Sequence, residues 1–176
     1  VNLRTKEIQD VNERLRLLSV TDTLTGIFNR MKAVEMLDQE LSRNRRYNSP
    51  LSVILFDIDN FKSINDSLGH GVGDNALIAV AKVLGQVSRA SDVPARWGGD
   101  EFLVLCPGVS LTEAIELAER LGERIAALDI GSSVSLSASL GVTEAIGGDS
   151  RESLIERADT ALYQAKHQGR NQVAFL

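Results

Sequence analysis

One cysteine, three prolines and 19 lysines and arginines against 24 aspartates and glutamates set the first limits on this 176-residue chain. A lone Cys106 excludes an internal disulfide framework and a thiolate zinc cluster. It closes the apolar run Phe102-Leu103-Val104-Leu105-Cys106, so a buried strand residue in a reducing compartment is expected. No stretch reaches the roughly 20 apolar residues needed to cross a bilayer, and none reads as a secretory leader. A soluble, cytoplasmic chain is expected, either free or as the cytoplasmic part of a membrane-anchored sensor protein. The net charge of −5 argues against nucleic acid and anionic membrane faces as partners, leaving a small ligand in a local basic pocket. Repeats and low-complexity tracts are absent too, and an apolar fraction of 43% suffices for one globular domain with its own core. The chain begins at Val1 rather than methionine, as expected of a piece excised from a longer protein with a sensor domain upstream.

Residues 1 to about 20 are polar except for Val1, Ile8, Val11, Leu15 and Leu18, a heptad seam. This segment is expected as a linker helix, either packed on its own domain or paired in parallel with a second copy, and residues 21–176 as the main domain. A helix follows from about Arg30 to Tyr47, with Val34, Leu37 and Leu41 on one face. Leu51 to Ile58 reads as a buried strand, because Val53, Ile54, Leu55 and Phe56 run without polar interruption before Asp57 and Asp59 close it. A glycine-rich connection to Gly73 and a helix from about Asp74 to Ser88 come next. Residues 93 to 106 read as a hairpin, and Ser110-Leu111-Thr112-Glu113 as a capping box opening a helix to about Leu128. Val134 to Val142 alternates as a half-buried strand, and a helix from about Glu152 to His167 leads to a terminal strand at Gln172 to Phe175. Strands alternating with helices around an antiparallel hairpin predict an α/β (α+β) fold with a mixed central sheet flanked by helices.

The hairpin Arg96-Trp97-Gly98-Gly99-Asp100-Glu101-Phe102 concentrates the chemistry. Gly98 and Gly99 permit positive φ and close approach of a ligand, and Asp100 and Glu101 add hard oxygen donors beside that opening. The same run also makes an ordinary hairpin turn, so its meaning rests on the other segments. Those segments are Asp22-Thr23-Leu24-Thr25-Gly26-Ile27-Phe28-Asn29-Arg30, Phe56-Asp57-Ile58-Asp59-Asn60-Phe61-Lys62, Asn65-Asp66, Gly69-His70, Gly73-Asp74, Ser139-Leu140-Gly141-Val142, Ala158 to Lys166 and Gly169-Arg170-Asn171. In this order they resemble the GGDEF or diguanylate cyclase family, whose fold is similar to the palm of nucleotide polymerases and class III nucleotide cyclases.

The resemblance implies a site, residue by residue. Asp57, Asp100 and the Ile58 carbonyl would ligate Mg²⁺, with Mn²⁺ as an alternative, and Glu101 would be a further ligand or help remove a proton. Lys62, Lys166 and Arg170, with backbone amides near Asn60 and Phe61, would hold the triphosphate of GTP. Lys166 and Arg170 stand four apart at a helix end, where by themselves they read as charges favouring the helix C-terminus. Gly98 and Gly99 would admit the nucleotide. Asn65 and Asp74 would select guanine, although locally Asp74 also reads as an N-cap and Asn65 as a turn residue. His70 reads as a loop histidine packed near the nucleotide. Arg89-Ala90-Ser91-Asp92 resembles the family's RxxD inhibitory site, with Arg120 as a second contact for the product, cyclic di-GMP. The activity implied is condensation of two GTP molecules to cyclic di-GMP and two pyrophosphates across a homodimer, with Lys62, Asp100 and Glu101 carrying the catalysis. A catalytically silent module that binds GTP or cyclic di-GMP is the alternative, and the intact acids, glycines and Lys62 show no lesion that would favour it.

Overall fold

The computed structural model describes residues 3–131 and 133–176. Its elements follow in the order α1 (Leu3–Val20), α2 (Arg30–Tyr47), β1 (Leu51–Ile58), α3 (Phe61–Leu68), α4 (His70–Val87), β2 (Val93–Arg96), β3 (Glu101–Pro107), α5 (Leu111–Ala126), β4 (Ala138–Glu144), α6 (Arg151–His167) and β5 (Val173–Phe175). The strands form one sheet in the order β2-β3-β1-β4-β5. It is antiparallel except for the β4–β5 pair, which α6 connects. This is the mixed sheet expected from the alternation of elements.

β1 is central and buried along its whole length, because helices cover both faces of the sheet. Ile54, Phe56 and Ile58 point with Phe102 and Val104 into a core completed by α4 and α5. Val53 and Leu55 point with Leu103 and Leu105 into a second core, closed by Leu37 of α2 and by Leu154 and Leu162 of α6. The Phe56 and Phe102 rings stack at 5.2 Å between centroids and lock β1 to β3 in register. α6 lies close on β4: a Cβ at Gly141 would stand 2.3 Å from the Leu162 nitrogen and 2.4 Å from the Ala158 carbonyl oxygen.

The edges of the sheet are short. β2 has four residues, includes Pro94, and is covered by Phe28, whose carbonyl accepts from the Arg96 amide at 2.9 Å. β5 has three. α1 buries none of its residues, and Ile8, Val11, Leu15 and Leu18 are each more than half exposed, so this stripe is not packed on its own domain. Val1 lies outside the described residues.

Three expectations change. The connection before Gly73 contains α3, and α4 begins at His70, so Asp74 lies inside a helix and is not its N-cap. β4 begins at Ala138 and is buried on both faces through Thr143, because α5 and α6 cover its two sides. Neither Gly98 nor Gly99 has a positive φ. Positive φ is therefore not what calls for glycine at these two positions.

Candidate functional site

The ends of β1 and β3 build the acidic centre. Their register sets Asp57 opposite Glu101, one residue beyond the stacked Phe56–Phe102 pair, so both acids point to the opposite face from those rings. Asp100 sits at the hairpin tip, where its carbonyl accepts from the Ile58 amide at 3.4 Å. The tip is held by hydrogen bonds from the Trp97 and Gly98 amides to the Glu101 carbonyl, at 2.8 and 3.1 Å. A Cβ at Gly98 would stand 2.8 Å from Glu101 Oε2, whereas one at Gly99 would meet nothing within 4 Å. Gly98 makes room for Glu101, and Gly99 leaves open space.

Burial is the main reason that the Asp57 carboxyl is lifted to about 6, with the charges of Asp100 and Asp59 adding to it and Lys166 opposing it. Lys166 forms an ion pair with Asp57. Burial alone would lower the Lys166 pKa, but Asp57, then Glu101 and Asp100, hold it above its ordinary value.

A cleft of about 240 Å³ opens beside these acids, lined by Asp57, Ile58, Asp59, Asn60, Phe61, Lys62, Asp100, Lys166 and Arg170. Asn60 adopts a left-handed conformation (φ 55°) at the start of α3, and no side chain caps that helix, so its first backbone N–H groups remain available to an anion. Lys166 lies in α6, but Arg170 lies beyond its end with φ 63°. Both cations reach one cleft without sharing a helical face. Glu101 is not among the residues lining that cleft.

Among the described residues, no three His, Cys, Asp or Glu side chains converge closely enough to hold a metal by themselves. The donor chemistry nevertheless fits Mg²⁺, which binds through one or two carboxylates and completes its shell with substrate phosphates and water. Asp57, buried beside Asp100 and with its carboxyl lifted to about 6, is a position where added positive charge would stabilise the ionised carboxylate.

Asn65 and Gly73 meet where α3 crosses α4. Asn65 Oδ1 is buried with no hydrogen-bond partner, and a Cβ at Gly73 would stand 1.8 Å from it. Asp74 and His70 are exposed on α4. Farther away, Asp92 is buried: its Oδ2 accepts from the Arg89 amide at 2.7 Å, while Oδ1 has no partner. Arg89 is exposed at this turn, and Arg120 is exposed on α5.

Two further features carry no role in the sequence reading. Arg96 donates to the Gly99 carbonyl at 2.7 and 3.1 Å and to both Asp22 oxygens at 3.2 Å, joining the signature hairpin to the turn after α1. Burial pushes the Asp22 carboxyl up, but the Thr25 hydroxyl and amide and Arg96 outweigh it and hold the pKa below the ordinary value. Asp59, buried, accepts from the Ser137 and Ser139 hydroxyls and from the Asn171 amide. The presence of both Asp22 and Arg96 within the family-like segments was the available signal for the first; the serine alternation before β4 was the signal for the second.

Asp57 and Asp100, brought together at the ends of neighbouring strands, line a cleft with Lys62, Lys166 and Arg170 in an α/β domain, a lining whose chemistry suits a phosphorylated ligand. The family model described as diguanylate cyclase, GGDEF domain, matches residues 19–172. The chain belongs to that family. It is 41% identical over 162 residues to the response regulator PleD of Caulobacter vibrioides, covering 89% of this chain and 36% of PleD. It is 42% identical over 164 residues to the diguanylate cyclase DgcP of Pseudomonas aeruginosa, covering 92% of this chain and 24% of DgcP. The chain thus spans only a minor part of the length of these relatives. Among solved structures, the coiled coil and GGDEF domain of DgcB from Caulobacter crescentus, in complex with c-di-GMP, superposes with a TM-score of 0.93 at 30% identity, covering 98% of this chain and 94% of that one. The active GGEEF domain of a diguanylate cyclase from Vibrio cholerae gives a TM-score of 0.80 at 34% identity, covering 84% and 96%.

Proposed function

We propose that the chain is a diguanylate cyclase domain that condenses two GTP molecules into cyclic di-GMP and two pyrophosphates. The observation that carries this reading is the placement of Asp57, Asp100 and Glu101 at adjoining strand ends beside a cleft lined by Lys62, Lys166 and Arg170. The names of the relatives and the c-di-GMP complex of DgcB agree with it.

In this reading, Lys62, Lys166, Arg170 and the free amides at the start of α3 hold the triphosphate, and Asn65 and Asp74 read the guanine edge. Asp57, Asp100 and the Ile58 carbonyl hold Mg²⁺ or Mn²⁺, with Glu101 nearby. The bound metal supplies charge stabilisation at the phosphates. The 3′-hydroxyl of each GTP attacks the α-phosphorus of the other, the bond to pyrophosphate breaks, and Glu101, when not itself a further ligand, helps remove the hydroxyl proton. One chain offers one nucleotide site, so two copies face each other as a homodimer. The exposed stripe of α1 brings the copies together and links residues 21–176 to a sensor domain upstream. The exposed Arg89 offers guanine a donor pair, and Asp92, whose buried Oδ1 has no partner, keeps acceptor capacity for the base once this turn opens; both support product inhibition here, with Arg120 as second contact. GTP as substrate argues for the cytoplasm as the domain's location. Among the described residues no helix is long and apolar enough to cross a membrane.

The test is incubation at high protein concentration with GTP and Mg²⁺, beside Asp100→Ala, with products identified by mass spectrometry. Cyclic di-GMP from the wild type alone is the expected result, at a rate rising faster than linearly with protein. Binding of cyclic di-GMP through Arg89 without turnover, even when dimerisation is enforced, would replace this reading with a regulatory module.

A further inference from the structure

Asp59 lies two residues beyond Asp57 and lines the same cleft, which invites its reading as another metal ligand. Its hydrogen bonds point elsewhere. Oδ1 accepts from Ser139 Oγ at 2.6 Å, and Oδ2 accepts from Ser137 Oγ at 2.7 Å and from the Asn171 amide at 3.0 Å. Its own amide donates to the Ser137 carbonyl at 2.8 Å. Both oxygens are thus occupied by protein donors, and the residue is only 7% exposed.

What these bonds hold is the turn after α6. Gly169, Arg170 and Asn171 have φ of 120°, 63° and 47°, a succession of positive values in which two residues carry side chains. Such conformations persist only where the surroundings impose them. The turn is exposed: the Arg170 amide and Gln172 Nε2 tie it back to the Ala165 carbonyl of α6 at 3.0 and 3.2 Å, and at its far end the Gln172 carbonyl accepts from the Leu140 amide of β4 at 3.0 Å. The Asp59–Asn171 bond adds a side-chain tie from the end of β1 to the left-handed pair itself.

We propose that Asp59 is a positioning residue that fixes the left-handed Arg170–Asn171 turn and thereby aims Arg170 into the phosphate cleft. This rests on the nucleotide reading above. Asp59→Asn keeps the shape but removes the negative charge and turns one of the two acceptor oxygens into an N–H₂ donor, so the bonds from Ser137, Ser139 and Asn171 lose their charge assistance and cannot all be kept, and the anchor of the turn weakens.

The test measures binding of a GTP analogue with an α,β-methylene bridge, together with GTP turnover and its Mg²⁺ dependence. Asp59→Asn is expected to weaken analogue binding about tenfold, the scale of one charge-assisted contact, while leaving the half-saturating Mg²⁺ concentration unchanged at saturating nucleotide. In an Arg170→Ala background it should add less than about twofold, because the contact it orients is already gone. Asn171→Gly should restore binding to Asp59→Asn, since glycine takes positive φ without an imposed anchor. If Asp59→Asn does not fold, Ser137→Ala, which removes one partner of the same oxygen, should show a smaller loss with the same non-additivity. A large shift in Mg²⁺ dependence, additive effects with Arg170→Ala, or unchanged binding would each overturn the assignment alone. A wild type that binds no analogue would overturn the nucleotide reading and this assignment with it.

Discussion

Gly73→Ala separates nucleotide recognition from folding. The new Cβ would stand 1.8 Å from Asn65 Oδ1 and 2.9 Å from its Cγ, so the amide must swing away, while Phe61 Cζ at 3.2 Å needs only a small adjustment. Gly73 lies within α4 without a positive φ, so alanine gains about 0.5–1 kcal/mol of helix preference. Moving Asn65 Oδ1 also releases an oxygen that is buried without a partner. Net stability should stay within about 1 kcal/mol of wild type, a Tm change of roughly 2–4 °C for a chain of this size. If Asn65 reads guanine as proposed, the displaced amide gives up those hydrogen bonds, about 1 kcal/mol for each of two, so KM for GTP should rise roughly thirtyfold. Thermal melting and initial rates across a GTP series check the two halves. An unchanged KM together with a large loss of Tm would refute the reasoning, because Asn65 would then serve packing alone.

Gly141→Ala should do the reverse, since its Cβ would strike backbone atoms of α6 at 2.3 and 2.4 Å that no side-chain rotation can clear. A loss of about 3 kcal/mol is expected in urea unfolding, at the upper end for overpacking. The Asp149–Arg157 pair should make stability depend on acid. Arg157, foremost, then the Ile146 amide and Ser153, hold Asp149 at about 2 against the opposing effect of burial, through contacts of 2.8 and 3.1 Å from the guanidinium. A depressed carboxylate pKa contributes stability above the unfolded value of 3.8 that is lost as pH falls toward 2. The contribution is about 2 kcal/mol, so the stability gap between wild type and Asp149→Asn should shrink as pH falls from about 5 to about 1; a constant gap would contradict this.

Local signals carried much of the fold. β1 was legible because eight consecutive residues are buried on both faces, and the Ser110 capping box because its partners are three residues apart. α3 was not, because it is a short helix with one buried residue, Ile64, and it starts from a left-handed Asn60 with no capping side chain. The start of β4 was misplaced because Ser137 and Ser139 alternate as strand residues do, while their hydroxyls serve Asp59, 78 and 80 positions away. The acids of the candidate site could be picked out individually, but their side-by-side placement depends on strand register. The Asp22–Arg96 link spans 74 positions and became visible only once the hairpin and the turn after α1 were brought together.

The blunt margins of the sheet have a consequence for solubility. A four-residue β2 that contains Pro94 and is covered by Phe28, and a three-residue β5, offer little template for another strand. Two copies crowded together, as the proposed reaction requires, therefore have little means of zipping into a continuous sheet. The sheet edges thus give such a pair no ready route to fibres.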